Sequence, residues 1–181
     1  PLMMMFSEKY CVLLVTTHVP VSEIIRHVDC ERILDVIRAG HEAMRKIDGG
    51  SVRLAITGLD PHCGDDGAIG GFDREVTARA VDDARAAGVP VEGPFAADTL
   101  FIPSNWQRYN LVIAHYHDQG LIPFKMLAFD RGVNVTLGLP LVRTSVDHGT
   151  AFDIAGKNRA GWNSMTEAIL LAERLEGKRG Q

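Results

Sequence analysis

The sequence has little of the features that mark several protein classes. It contains only three cysteines in 181 residues, without zinc-type spacing, and an odd number without a secretory signal predicts free thiols in a reducing compartment. The net charge of −4 provides no basic surface for nucleic acid. No apolar run approaches the roughly 20 residues that cross a bilayer. We therefore expect a cytoplasmic protein that contacts neither nucleic acid nor a membrane.

The hydrophobic and charged fractions, 46% and 23%, are ordinary for a folded globular protein. Short apolar runs predict buried strands at residues 11–15, 52–56 and 111–114. Amphipathic stretches between them predict helices at residues 30–47 and 72–87, the first with Asp29 as its N-cap. Strands that alternate with helices predict an α/β fold with mainly parallel pairing.

Weaker sequence patterns predict three further elements and a flexible tail. Residues 89–94 are expected to form an extended link, and residues 133–137 a strand that pairs at an edge or across domains. Ser164 followed by Glu167 matches a capping box, which predicts a helix start. The tail at residues 178–181 is expected to fray.

A histidine follows each of three predicted strands, and these are His18, His62 and His117. Neutral imidazole is a favoured ligand for zinc and similar divalent ions, and three protein ligands with one open position form the catalytic kind of site. The pattern therefore predicts a three-histidine metal site. Asp98 and Asp118 are the carboxylates that would orient the imidazoles or move protons.

Two alternatives compete with this metal site. His115 lies two residues before His117, so in an extended segment both side chains would face the same way and either could be the ligand. The other interpretation is that each histidine only hydrogen-bonds loop backbone at the end of a strand.

Lys125, Asn134 and Arg143 follow the third histidine and suit a phosphate or carboxylate, since arginine offers a bidentate fork and lysine a point charge. Taken singly, each is more often a solvated surface residue. Their position between two other candidate sites favours an anion pocket.

A loop then follows that could admit a flat or phosphorylated ligand close to the backbone. It is formed by His148, Gly149, Thr150 and Ala151, and Asp153 and Asn158 continue it. An ordinary helix-entry turn would have the same composition. The glycine pattern of a classical dinucleotide-binding motif is not present after a strand, so that type of fold is not predicted.

Several long motifs resemble one enzyme family. The runs TTHVP, DPHCGDDG, GPFAADTLF, YHDQG and RGVNVTLGLPLVRTSVDHGTAFDIAGK are similar to the C-terminal part of the 4-hydroxythreonine-4-phosphate dehydrogenases. The segment HGTAFDIAGKNRA also resembles the adenosine-binding loop of isocitrate and isopropylmalate dehydrogenases. Cys63 and Asp65 are mild departures from the family pattern and leave His62 in place.

The resemblance implies an isocitrate/isopropylmalate dehydrogenase-like fold with α/β/α layers, of which this chain is an incomplete C-terminal portion. Residues 1–125 would be the central metal-binding and dimerisation domain. Residues 126–181 would be the return segment of the nucleotide-binding domain, and it would lack sheet partners and expose apolar surface. The family's N-terminal half, which also touches substrate, would precede the chain.

The resemblance also implies an activity and its site residues. The reaction would be the NAD- or NADP-dependent oxidation, with decarboxylation, of 4-phosphooxy-L-threonine to 3-amino-2-oxopropyl phosphate in pyridoxal phosphate synthesis. A divalent ion (zinc, magnesium, manganese or cobalt) would be held by the three histidines and shared between the subunits of a homodimer. Lys125, Asn134 and Arg143 would bind the phosphorylated substrate, and residues 148–151 with Asp153 and Asn158 would bind the cofactor. Proton transfer would fall to Lys125, Asp118 or Asp98.

Three other functions remain open at this level. A related dehydrogenase could act on 4-phospho-D-threonate or 4-phospho-D-erythronate in sugar-acid catabolism. From a different class, the chain could be an inactive metal-binding or dimerisation fragment. A metal-dependent hydrolase using the same histidines would turn over without NAD.

Overall fold

One mixed sheet of seven strands organises the chain, in the order β4-β3-β5-β2-β1-β6-β7. The computed structural model describes residues 1–177. The strands are β1 (Leu2–Phe6), β2 (Cys11–Leu14), β3 (Leu54–Thr57), β4 (Val91–Phe95), β5 (Leu111–Ala114), β6 (Val133–Leu137) and β7 (Arg143–Val146). Strands β4, β3, β5 and β2 run parallel, whereas β1, β6 and β7 are each antiparallel to their neighbours. The carboxyl ends of the four parallel strands therefore meet at one edge.

Helices cover both faces of the sheet. They are α1 (Cys30–Asp48), α2 (Ala78–Ala86), α3 (Ala97–Leu100), α4 (Pro103–Trp106), α5 (His117–Ala128) and α6 (Asn163–Gly177). Shorter turns of helix are the 3₁₀ segments Val21–His27, Pro61–Gly67 and Phe152–Ile154, and a π turn at Asp73–Thr77 that leads into α2. Helices α1, α2 and α6 share one apolar core, and α3, α4 and α5 share the other. The predicted α/β/α layering is confirmed.

Helix α1 shows why the helical prediction succeeded. The Asp29 carboxylate accepts a hydrogen bond from Arg32 N at 2.7 Å, and the left-handed Gly49 closes the helix with its N–H on Arg45 O. An N-cap of this kind typically contributes about 1 kcal/mol. The buried stripe of this helix contains Ile33, Ile37, Met44 and Ile47, as expected for an amphipathic helix.

Four strands differ from the expectations. The opening run Leu2–Phe6 was not predicted as a strand, yet it forms β1 and pairs with β2 and β6. Residues 91–95 are not a link but strand β4, parallel to β3; the run Val-Glu-Gly-Pro-Phe shows no alternation that would reveal it. Strand β7 escaped prediction because its sequence, RTSV, is polar and short. Strand β6 is not an edge strand, because it pairs with β1 on one side and β7 on the other.

The segment after β5 is helical, which overturns the extended geometry expected for His115 and His117. The strand ends at Ala114, and α5 begins at His117. His115 is fully buried, so it is not an alternative to His117 as an exposed metal ligand.

Ser164 lies inside α6 and does not serve as the cap that the sequence pattern suggested. Its hydroxyl accepts from Asp147 N at 3.1 Å and donates to Gly132 O at 2.6 Å. Glu167, the expected second half of the capping box, pairs with Arg131 at 3.0 Å. The serine is therefore a buried bridge between α6 and the strand ends.

The sheet continues without a break across the proposed boundary at residue 125, because β6 and β7 extend it from β1. The expectation that this later segment lacks sheet partners was wrong for β6. Helix α6 nevertheless exposes Met165, Ile169 and Leu170, which are 51%, 61% and 49% accessible. The predicted frayed tail lies outside the described residues. Among residues 1–177, no helix combines the length and the apolar character needed to cross a membrane.

Candidate active site

His18 and His117 lie side by side at the carboxyl edge of the sheet. Their strands, β2 and β5, are parallel neighbours with Leu14 opposite Ala114. The two ring centroids are 5.5 Å apart, with an interplanar angle of 40°. His117 Nδ1 lies 2.7 Å from Asp118 Oδ1, which leaves Nε2 available for a ligand. Metal-binding histidines are commonly oriented by a carboxylate in this way.

The spacing of these two rings fits a shared ion. With metal–nitrogen bonds of about 2 Å, two imidazoles on one ion have ring centres roughly 5 Å apart. Within residues 1–177, however, no group of three or more histidine, cysteine, aspartate or glutamate side chains is close enough to hold a metal. Within the described residues, the two histidines alone therefore do not make up the predicted three-ligand site.

His62 does not join the pair. It is exposed in the turn Pro61–Gly67, where residues 62 to 66 all have positive φ. Gly64 is required there, because a Cβ would collide with Gly70 O. Asp98 is exposed at the start of α3. Burial is the main cause that raises the pKa of the Cys63 thiol, and the charges of Asp73 and Asp98 add to the effect. Asp98 therefore lies near the His62 loop.

A buried carboxylate holds the chain that leads to His62. Asp73 is fully buried and accepts hydrogen bonds from Leu59 N at 2.8 Å, Asp60 N at 2.9 Å and Thr77 Oγ1 at 2.8 Å. Gly58 has no room for a side chain, since a Cβ would lie 2.9 Å from an Asp73 oxygen. No sequence pattern indicates this role, because an aspartate at the start of an amphipathic helix is usually exposed.

His115 belongs to the same buried network. Its Nε2 lies 3.3 Å from Thr77 Oγ1 and 3.8 Å from Asp73 Oδ1. Burial lowers the pKa of His115 to about 4, against the opposing attraction of Asp73. The close approach to Asp73 is therefore not a salt bridge near neutral pH, because the imidazole is uncharged there.

Gln119 ties two strand ends together. Its Oε1 accepts from His115 N at 2.7 Å and from Thr57 Oγ1 at 2.8 Å, and its Nε2 donates to Gly58 O at 2.8 Å. These contacts connect the end of β3, which leads to His62, with the end of β5, which leads to His117. No periodicity marks such a residue, because a glutamine in a helix is most often solvated.

The three residues of the predicted anion pocket face the same side of the sheet. Asn134 lies opposite Met5, and Arg143 lies opposite Thr136, two residues further along β6. Directly paired residues share a face, and Met5 belongs to the core under α5. Lys125 projects from α5, which covers this same face. The sheet register thus places Lys125, Asn134 and Arg143 in one layer.

These three residues are nevertheless not in mutual contact. Lys125 Nζ lies 3.1 Å from Asp147 Oδ1, and Arg143 donates to Thr136 Oγ1 at 2.6 Å. Eight residues of α5 separate Lys125 from His117, which is about 12 Å of helix rise. The His18–His117 pair and the lysine of one chain therefore lie towards opposite ends of α5.

The predicted cofactor loop is exposed. His148, Gly149 and Thr150 are all accessible, and a Cβ on Gly149 would meet nothing within 4 Å. Ala151 and Asn158 have positive φ, and Asp153 O accepts from Lys157 Nζ at 2.7 Å. The loop is open to a ligand, but its own contacts do not define one.

A cavity of about 400 Å³ lies between α1, α6 and the β6–β7 hairpin. Arg143 is on its rim, whereas Lys125 and Asn134 are not among its lining residues. Its walls are largely apolar, including Val135, Leu139 and Leu141. This cavity does not coincide with the predicted anion pocket.

Comparison with known proteins identifies close relatives. Residues 1–172 match the model of a family described as pyridoxal phosphate biosynthetic protein PdxA. A 4-hydroxythreonine-4-phosphate dehydrogenase from Geobacter metallireducens is 46% identical over 98% of this chain and 52% of its own length. A D-threonate 4-phosphate dehydrogenase from Cupriavidus necator is 42% identical over 98% of this chain and 54% of its own.

The fold comparison agrees. The crystal structure of a 4-hydroxythreonine-4-phosphate dehydrogenase from Klebsiella pneumoniae superposes with a TM-score of 0.84 at 38% identity, covering 96% of this chain and 53% of that one. The chain thus spans about half the length of the relatives it matches. The resemblance inferred from the motifs and the α/β fold is confirmed.

Proposed function

The chain belongs to the PdxA family of pyridoxal phosphate biosynthetic proteins, and on that basis we propose that the complete protein is an NAD- and metal-dependent dehydrogenase. Its substrate would be 4-phosphooxy-L-threonine, oxidised and decarboxylated to 3-amino-2-oxopropyl phosphate. The observation that carries the proposal is the pair His18–His117, with ring centres 5.5 Å apart at the edge where parallel strands place ligands.

His18, His117 and His62 are the proposed metal ligands. When bound, a divalent ion would lower the pKa of the substrate hydroxyl. Asp118 keeps Nδ1 of His117 occupied, so Nε2 would be the nitrogen that holds the ion. Three residues are candidates for proton transfer. They are Asp98, which lies near the His62 loop, Asp118 and Lys125.

A homodimer would complete this site, because a single chain brings only two of the three histidines together. A second copy could supply His62. Exposed apolar residues on α5 and at its C-cap support this arrangement. Ile122, Met126 and the C-cap Phe129 are 58%, 79% and 54% accessible, and the same helix begins at His117. If two α5 helices met at this interface in opposite directions, the His18–His117 pair of one subunit would lie near Lys125 of the other.

The phosphate end of the substrate is assigned to Lys125, Asn134 and Arg143, which face one side of the sheet. The exposed loop at residues 148–151, with Asp153 and Asn158, is assigned to NAD or NADP. Hydride transfer would be the chemistry of the bound nicotinamide, which the protein orients.

A second candidate is the oxidation of D-threonate 4-phosphate, which is the named substrate of the relative from Cupriavidus necator. Both substrates carry a phosphate, so the lysine, asparagine and arginine would serve either. A panel of phosphorylated four-carbon acids, assayed with NAD and several divalent ions on the complete protein, distinguishes the two.

The metal assignment has a direct test. His117→Ala in the complete protein should lose bound metal, measured by atomic emission after dialysis, and should lose turnover by a factor of 100 or more. His27→Ala is the matched control, because His27 is an exposed histidine in the 3₁₀ segment Val21–His27 and is not one of the proposed ligands. Normal metal content and turnover in His117→Ala would remove the basis of the proposal.

A further inference from the structure

Asp147 is a buried carboxylate that the proposed function leaves without a role. Its side chain is only 3% accessible, and its Oδ1 lies 3.1 Å from Lys125 Nζ, on a lysine that is 40% accessible. Its Oδ2 is buried and has no hydrogen-bond partner among the described residues. A carboxylate in such a position is costly unless a cation stays beside it.

Asp147 is fixed by a backbone hydrogen bond and by close packing, whereas Lys125 has a flexible side chain. Asp147 N donates to Ser164 Oγ at 3.1 Å, and Ser164 in turn donates to Gly132 O. The carboxylate packs against Gly132, where a Cβ would lie 2.9 Å from Oδ2. Lys125, by contrast, has a long flexible side chain that would otherwise sample many rotamers.

The geometry points to Asp147 as the positioning residue of Lys125: its anchored carboxylate holds the lysine ammonium on the face of the sheet that carries Asn134 and Arg143. This inference rests on the proposed function in which Lys125 contacts the phosphorylated substrate. Asp147 also directly precedes His148, so the same residue joins the lysine to the start of the proposed cofactor loop.

The pair can be tested without catalysis. Lys125→Met leaves the buried carboxylate without its cation, and we expect the melting temperature to fall by about 5 °C or more. Adding Asp147→Asn to Lys125→Met should restore most of that loss, because the uncompensated charge is gone. The exposed ion pair of Lys46 with Glu42 is the control, and Lys46→Met with Glu42→Gln should shift the melting temperature by less than about 1 °C.

Kinetics then test the positioning role in the complete protein. Asp147→Asn should lower kcat with the phosphorylated substrate about tenfold or more, since small displacements of a substrate-contacting group are costly. When Asp147→Asn is added to Lys125→Met, kcat should not fall further. In Asp147→Asn alone, the KM for NAD should stay within twofold of the parent value. Should Asp147→Asn fail to fold, Asp147→Ala takes its place in both cycles.

Each outcome decides the inference. Recovery of melting temperature together with non-additive kcat supports it. The inference is overturned if the double variant does not recover its melting temperature. It is also overturned if Asp147→Asn lowers kcat by the same factor in the parent protein and in Lys125→Met. If the parent protein shows no NAD-dependent turnover, the proposed function fails, while the melting-temperature cycle still tests the Asp147–Lys125 pair.

Discussion

Replacing Asp73 by asparagine should destabilise the protein sharply. The carboxylate accepts two backbone N–H groups, from Leu59 and Asp60, in a fully buried position. An amide has one oxygen, so one N–H would face an NH₂ group and lose its acceptor. A hydrogen bond to a charged group contributes roughly 1.5–3 kcal/mol, and an unsatisfied buried donor costs a further 1–3 kcal/mol. We therefore expect a loss of about 3 kcal/mol.

Urea unfolding followed by circular dichroism measures this loss. With an m-value of about 3 kcal/mol/M, the midpoint should fall by about 1 M while m is unchanged. Asp82→Asn is the matched control on α2: Asp82 is 76% accessible, and its ion pair with Arg85 is long, at 3.8 Å. Its effect should stay below about 0.5 kcal/mol. If Asp73→Asn moved the midpoint no further than Asp82→Asn, the account of the buried network would be refuted.

Two further predictions concern pH and assembly. Because the pKa of His115 is about 4 in the fold and ordinarily about 6.5, the unfolded chain binds more protons between these values. Stability of the metal-free protein should thus be complete above pH 6.5 and decline by about 3 kcal/mol towards pH 4, with a smaller slope in His115→Asn. Met126→Glu should shift a dimer towards monomer in light scattering, whereas Val21→Glu, equally exposed in the 3₁₀ segment Val21–His27, should not.

Local signals in the sequence predicted the α/β class, whereas the layered architecture was implied by the resemblance to the family. Asp29 and Gly49 mark the ends of α1, and apolar runs mark β2, β3 and β5. Polar strand β7 and the glycine-proline run of β4 escaped prediction. Their identity depends on neighbouring strands that lie far away in sequence.

In the candidate site, too, some features could be predicted from the sequence and others only from the fold. Residue type and position after a strand were enough to select His18 and His117, which the fold brings together. The same reasoning favoured an extended segment after His115, and the helix at His117 corrected it. The roles of the three histidines, of Asp98 and Asp118, of the anion residues and of the cofactor loop all stay predictions.

What the sequence determined by itself is the family, the α/β class with its central strands and its longer helices, and the kinds of side chain at three strand ends, because these follow from short-range pattern and motif. Only the tertiary structure decided which polar groups are buried and what they hold. From residue type and sequence position alone, Asp73, Gln119 and Asp147 would be expected at the surface. They acquire their roles because folding removes water from them and leaves backbone amides, carbonyls and a lysine as their partners.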